Sequence, residues 1–354
     1  MPVERPTQKQ IAEAAGVSRT TVSFILNDVP GVNLSPDTRQ RVLEAATRLN
    51  YYPDATARRL ASGETRTIAL VLHQGPTQAY GDFFLPQMLQ GVSQAARQQG
   101  YHVLFYPIGP TEDPNAYVEL VRGRHADGLI LSGPRSDDTP LLELYEEGYP
   151  IVLQGQLPGT VLPYVDVDNV KGARLAVEHL IGLGHRRIGM VTNAPLTYTA
   201  ARQRLDGYRQ ALERHGIVPK PAWVRYGHFD ERSGEQAVNE LLEDRVGLTA
   251  LFVASDAVAY GALRALRRHN LRVPEDLAVV GFDDISTSCY VFPSLTTVRL
   301  PAFGLGWAAA DLLIRLINRQ EVEETHIVLD TELVIRRSCG ALASQGAVKH
   351  TSLV

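Results

Sequence analysis

Along residues 67–340 short apolar runs alternate with longer stretches whose apolar positions recur every three or four residues. TIALVLH, HVLFYP, DGLILS, PIVLQ, RIGMVT, ALFVAS, LAVVGF and LTTVRL read as strands. QMLQGVSQAARQQG, VKGARLAVEHLIGLG, AARQRLDGYRQALERHG and AVAYGALRALRRHN read as helices. Alternation of this kind predicts parallel sheets with right-handed crossovers. The number of units predicts two doubly wound lobes. The segment near 290–300 is expected to return the chain to the first lobe. The last strands, in HIVLDTELVIRRSCG, are expected to finish both sheets.

Residues 1–66 follow a different rhythm, of short helices without strands. A first helix is predicted from about Thr7, its N-cap, to Ala15, with Gly16 just past its end. A second follows Ser18 and runs to about Asn27. In it Val22, Ile25 and Leu26 make an apolar stripe, leaving Arg19, Thr20, Ser23 and Phe24 on the other side. Two helices joined by a short turn containing glycine form a helix-turn-helix, whose second helix enters the DNA major groove. The loop DVPGVNL (28–34) leads to a third helix beginning at Ser35-Pro36.

Charge is distributed to match. The 354-residue chain carries 35 Lys and Arg against 39 Asp and Glu. Residues 1–66 hold nine basic and seven acidic residues, a net of +2, and the remainder is −6. A polyanion-binding module ahead of a larger body would show this asymmetry. Chemistry on the second helix agrees: arginine can bond guanine O6 and N7, threonine meets several base edges, and an apolar ring can touch a thymine methyl. A plain surface helix whose Phe24 belongs to the core is the other reading of these residues. Further on, Pro53 and Asp54 precede a two-turn helix over 55–61 carrying Arg58, Arg59 and Leu60. So short a helix is marginal alone. With DNA and a partner chain to support it, Leu60 could wedge between base steps with the arginines on phosphates. The plainer alternative is an ordinary linker.

TQKQIAEAAGVSRTTVSFILNDVPGVNLSPDTRQRVLEAATRLNYYPDATARRLASGETRTIALVL resembles the headpiece and hinge of the lactose-repressor (LacI/GalR) family of bacterial transcription regulators. The resemblance extends over nearly the whole chain. It implies an N-terminal all-α helix-turn-helix headpiece with a hinge helix. The implied α/β body has two lobes like those of periplasmic sugar-binding proteins, with an effector in the cleft. It places Arg19, Thr20 and Phe24 at base-reading positions, Leu60 at the intercalating position and Ala57 at the small position in the hinge helix. The DNA-facing set expected on this footing is Thr7, Ser18, Arg19, Thr20, Thr21, Ser23, Phe24, Asn27, Ala57, Arg58 and Leu60. Two departures stand out: Phe24 sits where relatives often carry a polar residue, and the loop DVPGVNLS is about two residues longer than usual.

Ligands of doubly wound sheets sit outside the carboxyl ends of the strands. Asp82, Phe83 and Phe84 after the first strand, Arg204, Phe229 and Asp256 occupy such places, and the resemblance assigns them effector contacts. Asp256 could bond paired hydroxyls, Arg204 a hydroxyl or carboxylate, and the rings the apolar face of a sugar. Each has a plainer alternative: the phenylalanines as core, Asp256 as a helix cap, Arg204 paired with a surface carboxylate. Leu300 stands where relatives often have a polar contact.

Other classes find less support. FGLGWAAA (303–310) fits G-x-G-x-x-A but lies late in the chain and lacks a following strand ending in an acid at the usual distance. Asp283-Asp284 could ligate a metal, with a loop role as the alternative. The histidines show no metal-ligand spacing and no G-x-S-x-G elbow is present. The polar N-terminus has no signal-peptide core, and no apolar run approaches a membrane span. Cys289 and Cys339 read as buried free thiols in a reducing cytoplasm. The expected protein is therefore a cytoplasmic, ligand-responsive repressor of carbohydrate-related genes, neither enzyme nor membrane protein, without cofactor or metal. Its expected partners are a near-palindromic operator and a sugar or sugar derivative. Its domains are expected at 1–52 (headpiece), 53–66 (hinge), 67–340 (two-lobed body) and 341–354 (disordered tail). The tail lacks leucine heptads, which predicts a homodimer and not a tail-linked tetramer.

Overall fold

The structure, a computed structural model, describes residues 6–26, 31–51, 63–75, 79, 83–109 and 116–341. They fall into two compact units, residues 1–65 and 66–354.

The first unit contains α1 (Gln8–Ala15), α2 (Arg19–Leu26) and α3 (Pro36–Arg48). Thr7 Oγ1 accepts the Gln10 N–H while Gln10 Oε1 accepts the Thr7 N–H, a reciprocal capping box. Gly16 ends α1 at φ 66°, a left-handed conformation that glycine adopts without a Cβ penalty. Ser18 Oγ accepts the Thr21 N–H at 3.0 Å and Ser35 Oγ the Thr38 N–H at 3.2 Å, so both later helices start on serine caps. Ile11, Ala15, Val22, Ile25, Val42 and Ala45 form the core, with Leu26 half-buried against it. Arg41 Nη1 donates to the Ala15 carbonyl at 2.9 Å and ties α3 to the end of α1.

The second unit runs β1 (Thr67–Leu72), α4 (Leu85–Gln98), β2 (His102–Pro107), α5 (Ala116–Arg122), β3 (Gly128–Ser132), α6 (Thr139–Glu146), β4 (Ile151–Gln154), β5 (Tyr164–Val167), α7 (Asn169–Gly182), β6 (Ile188–Val191), α8 (Thr199–Arg214), β7 (Val224–Arg225), α9 (Glu231–Glu243), β8 (Ala250–Val253), α10 (Asp256–Arg268), β9 (Ala278–Asp283), β10 (Thr296–Arg299), α11 (Ala302–Ile317), β11 (His326–Leu329) and β12 (Glu332–Val334). Two six-stranded sheets result, ordered β11-β5-β4-β3-β1-β2 and β12-β10-β9-β8-β6-β7. All pairings are parallel except β10 with β12. Helices cover both faces of each sheet, which makes two doubly wound lobes.

The chain crosses between lobes three times: after β5, after β10 and between β11 and β12. This corrects one expectation. The segment 290–300 does not return to the first lobe, because β10 pairs with β9 in the second; the return comes at Pro301, where α11 begins. The final two strands do finish the two sheets, one each.

The glycines of FGLGWAAA lie inside α11, not in a turn before it. A Cβ on Gly306 would stand 2.1 Å from the Met88 carbonyl oxygen, and one on Gly91 would stand 2.1 Å from that of Phe303. These glycines let α4 and α11 pack backbone to backbone, so the fingerprint carries no phosphate loop. Cys339 is buried, accepting from Thr296 Oγ1 at 3.1 Å, but Cys289 is exposed, against the expectation of two buried thiols.

Candidate functional site

In the first unit α2 turns Val22 and Ile25 into the core and leaves Ser18, Arg19 and Thr20 exposed. Thr7 is exposed at the start of α1. Thr21, Ser23 and Phe24 are half-buried. Phe24 is not among the half-buried apolar residues packed on the headpiece core, which are Val17, Leu26, Leu34, Leu49 and Tyr51. Ser18 and Thr21 also serve the helix start, their hydroxyls 2.8 Å apart. Asn27 and the hinge positions Ala57, Arg58 and Leu60 lie outside the described residues, as does Asp82 in the body.

In the second unit a cleft opens between the lobes at the carboxyl ends of the strands. Each sheet reverses its strand order there, between β1 and β3 and between β6 and β8, and that switch point is where doubly wound sheets bind ligands. His73 and Gln74 follow β1, Asn193 follows β6, Ser255 follows β8 and Asp283 ends β9; all line the cleft.

Arg204, on α8, forms the floor. Its Nε donates to Asn169 Oδ1 at 2.9 Å and its Nη1 to the Ala254 carbonyl at 2.6 Å. Nη1 also stands 3.6 Å from Asp283 Oδ1, and the guanidinium lies 3.8 Å over the Phe282 ring. Buried and hydrogen-bonded through a planar fork, it is held in one orientation. Burial lowers its pKa, with Asp283 and Asp166 opposing. Asp166 is also buried, its Oδ1 accepting from the Val167 N–H at 2.8 Å and Asn169 Nδ2 at 3.2 Å. Desolvation pushes its carboxyl up to about 7 against those bonds and the pull of Arg204.

Phe84, Phe229 and Tyr198 supply aromatic surface to the cleft. Tyr198 meets Phe229 edge to face at 4.9 Å. Tyr198 and its neighbours also bridge the lobes. Its hydroxyl donates to the His73 carbonyl at 2.5 Å, the Ser136 N–H to Thr197 O at 2.9 Å, and the Thr199 N–H to Pro134 O at 3.2 Å. His73 in turn is fixed by Asp138 at 2.7 Å, whose other oxygen accepts from the Tyr117 hydroxyl.

Of the expected effector residues, Phe84, Arg204 and Phe229 meet in this cleft together with Leu300. Two do not. Phe83 is 40% exposed and packs edge to face on Tyr260. Asp256 points into its own lobe: Thr297 Oγ1 and Ser288 Oγ donate to it at 2.6 and 2.5 Å, and the Ile285 N–H at 3.2 Å. Its carboxyl is pushed up by burial and by Asp283, so it serves the lobe's interior. Asp283 takes the cleft position instead, its Oδ2 accepting the Asp256 N–H. Asp284 pairs with Arg299 and Arg336 at 2.7 and 2.6 Å, as expected of a loop role. No cluster of three or more His, Cys, Asp or Glu suited to a metal occurs among the described residues.

The sequence reading missed Gln74, Asn193, Tyr198, Asp166 and Asn169. The strand-end rule that selected Asp256 reaches Gln74, Asn193 and Asp283 equally well. Gln74 Oε1 and Asn193 Oδ1 are buried without a hydrogen-bond partner among the described residues.

Residues 7–54 match the family of bacterial regulatory proteins, lacI family, and residues 177–339 match a periplasmic binding protein-like domain. The chain is 36% identical to the HTH-type transcriptional regulator CelR of Thermobifida fusca, over 94% of this chain and 98% of that one. It resembles a solved CelR–cellobiose complex at 35% identity and TM-score 0.74, covering 94% of this chain and all of that one. It also resembles the Lac repressor dimer bound to operator and the anti-inducer ONPF, at 30% identity and TM-score 0.83, with 95% and 99% covered. The chain belongs to the lacI family of transcriptional regulators.

Proposed function

We propose that this lacI-family regulator is a repressor whose operator affinity is set by a neutral sugar or sugar derivative held between the lobes. One observation carries the reading: two buried acceptors without a partner among the described residues, Gln74 Oε1 from the first lobe and Asn193 Oδ1 from the second, line one cleft. A buried polar atom without a partner costs about 1–3 kcal/mol. A ligand with several hydroxyls satisfies both at once and favours the lobe arrangement that brings them together. Phe84, Phe229 and Tyr198 offer ring faces to the apolar side of a pyranose. The charges favour a neutral ligand, because Arg204 is already engaged by Asn169, Ala254 and Asp283. The relative solved with cellobiose supports the same class.

On the DNA side, Arg19 and Thr20 read base edges with Phe24 beside them, while Thr7, Ser18, Thr21 and Ser23 contact the backbone around them. Asn27, and Ala57, Arg58 and Leu60 of the hinge, complete the contact in a dimer on a near-palindromic operator. The headpiece spans 1–52, the hinge 53–66, the body 67–340 and the tail 341–354. Among the described residues no helix is long and apolar enough to cross a membrane; the reading places the protein in the cytoplasm, with its DNA. The cleft binds and does not catalyse, and the reading keeps Asp82 as a further effector contact.

Titration calorimetry with a panel of neutral mono- and disaccharides tests the effector. A sugar that binds the native protein, and binds Asn193→Leu at least tenfold more weakly, supports the reading; equal binding to both proteins rejects it.

A further inference from the structure

We propose that the cleft continues into a second sugar subsite lined by Gln156, Gln203, Asp168 and Val328, so that the effector is a glycoside of at least two rings. The inference rests on the reading of the cleft as a sugar site and extends it outward.

A second pocket adjoins the cleft, with Asn169 lining both. Three chain segments run from one to the other. Gln154 and Gly155 line the cleft, and Gln156 lines the outer pocket. Arg204 lines the cleft, and Gln203 the outer pocket. Asn169 lines both, and Asp168 and Val170 on either side of it belong to the outer one. The two spaces are therefore neighbours along the same strand ends and the same helix starts.

A string of hydrogen bonds joins them. Arg204 Nε donates to Asn169 Oδ1, Asn169 Nδ2 donates to Gln203 Oε1 at 3.1 Å, and Gln203 Nε2 donates to Gln156 Oε1 at 3.4 Å. The last bond is long, spans the two lobes and joins two half-buried amides. Such a bond is weak, and a ligand hydroxyl inserted between the amides can accept from one and donate to the other. Asp168 adds an exposed carboxylate acceptor at the rim, and Val328, half exposed on β11, adds an apolar wall. Uncharged amides, one carboxylate and an apolar wall suit the hydroxyls and ring face of a neutral pyranose. They offer no cation for a phosphate.

The test uses the full-length protein and calorimetry with neutral disaccharides and their component monosaccharides. Two variants alter the outer pocket alone: Gln156→Ala removes an amide, and Val328→Trp fills the space from an exposed position where the larger side chain does not disturb the core. The native protein should bind at least one disaccharide about tenfold more tightly than either component, the effect of about one or two added hydrogen bonds. Both variants should bring that disaccharide down to the affinity of the monosaccharide and leave the monosaccharide unchanged. A disaccharide preference that survives both variants, or equal affinity for the two sugars in the native protein, overturns the second subsite while leaving the inner site standing. Absence of binding by every sugar overturns the reading of the cleft, and the subsite falls with it.

Discussion

The Tyr198 hydroxyl, in the second lobe, donates to the carbonyl oxygen of His73, in the first, at 2.5 Å. His73 lines the cleft and is fixed by Asp138, so this bond ties the wall of the ligand site to the closure of the lobes. Effector binding and lobe closure share one set of contacts. Whatever strengthens one strengthens the other by the same free energy.

Tyr198→Phe keeps the ring contact with Phe229 and removes only the bridging hydroxyl. A neutral hydrogen bond of this kind contributes about 0.5–1.5 kcal/mol. Effector affinity measured by calorimetry should fall roughly two- to tenfold, and unchanged affinity would remove this bond from the closure mechanism.

Arg204→Ala deletes the floor of the cleft and removes the cation that faces Asp283. Breaking a buried pair on one side costs about 3–5 kcal/mol. The body should melt at a markedly lower temperature and fail to bind effector, while the isolated DNA contact of the headpiece persists. Calorimetry and operator gel shifts read the two effects separately.

The pH dependence has a definite sign. Burial raises the Asp166 carboxyl to about 7 in the folded protein, above its unfolded value near 4. Between these values the native state holds a proton that the unfolded chain has released. Stability from this group is therefore full below about pH 4 and declines as pH rises towards 7. Asp166→Asn should flatten that decline in a series of thermal melts from pH 5 to 8. A slope identical to that of the native protein would assign the dependence to other groups.

Gly306→Ala places a methyl where the Met88 carbonyl already stands. Helix propensity favours alanine by up to about 1 kcal/mol, but forcing α4 and α11 apart costs about 1–3 kcal/mol or more. A lower melting temperature is expected, and an unchanged or higher one would show that the helices separate freely.

Arg19→Ala should weaken binding to the preferred operator by about 1–3 kcal/mol and relax preference at one base pair. An equal loss on all duplexes, measured by fluorescence anisotropy, would make Arg19 a phosphate contact.

The strands with unbroken apolar runs, and helices with clear caps such as Thr7, Ser18 and Ser35, could be read from the chain alone because their signals are local. β5 is harder to read, since Asp166 interrupts the short run YVDV. α9, ERSGEQAVNELLE, carries a weaker signal, with Ala237, Val238, Leu241 and Leu242 as its apolar positions. The choice of Asp256 over Asp283 failed for a different reason. Both lie near strand ends, and which one faces the cleft depends on Thr297 and Ser288, 41 and 32 residues from Asp256, which turn it inward. The glycines of FGLGWAAA likewise gain their meaning from α4, more than 200 residues earlier in the chain. Gln74 Oε1 and Asn193 Oδ1 matter because they have no partner among the described residues, and only the folded chain reveals that.

The central claim is that one cleft ligand governs DNA binding. The direct measurement is the affinity of the full-length protein for a selected palindromic duplex, taken with and without the disaccharide that binds most tightly. The account predicts that the sugar shifts operator affinity by at least fivefold, that the duplex shifts sugar affinity by the same factor, and that Asn193→Leu abolishes both shifts. Tight binding of sugar and duplex with neither affecting the other would contradict it.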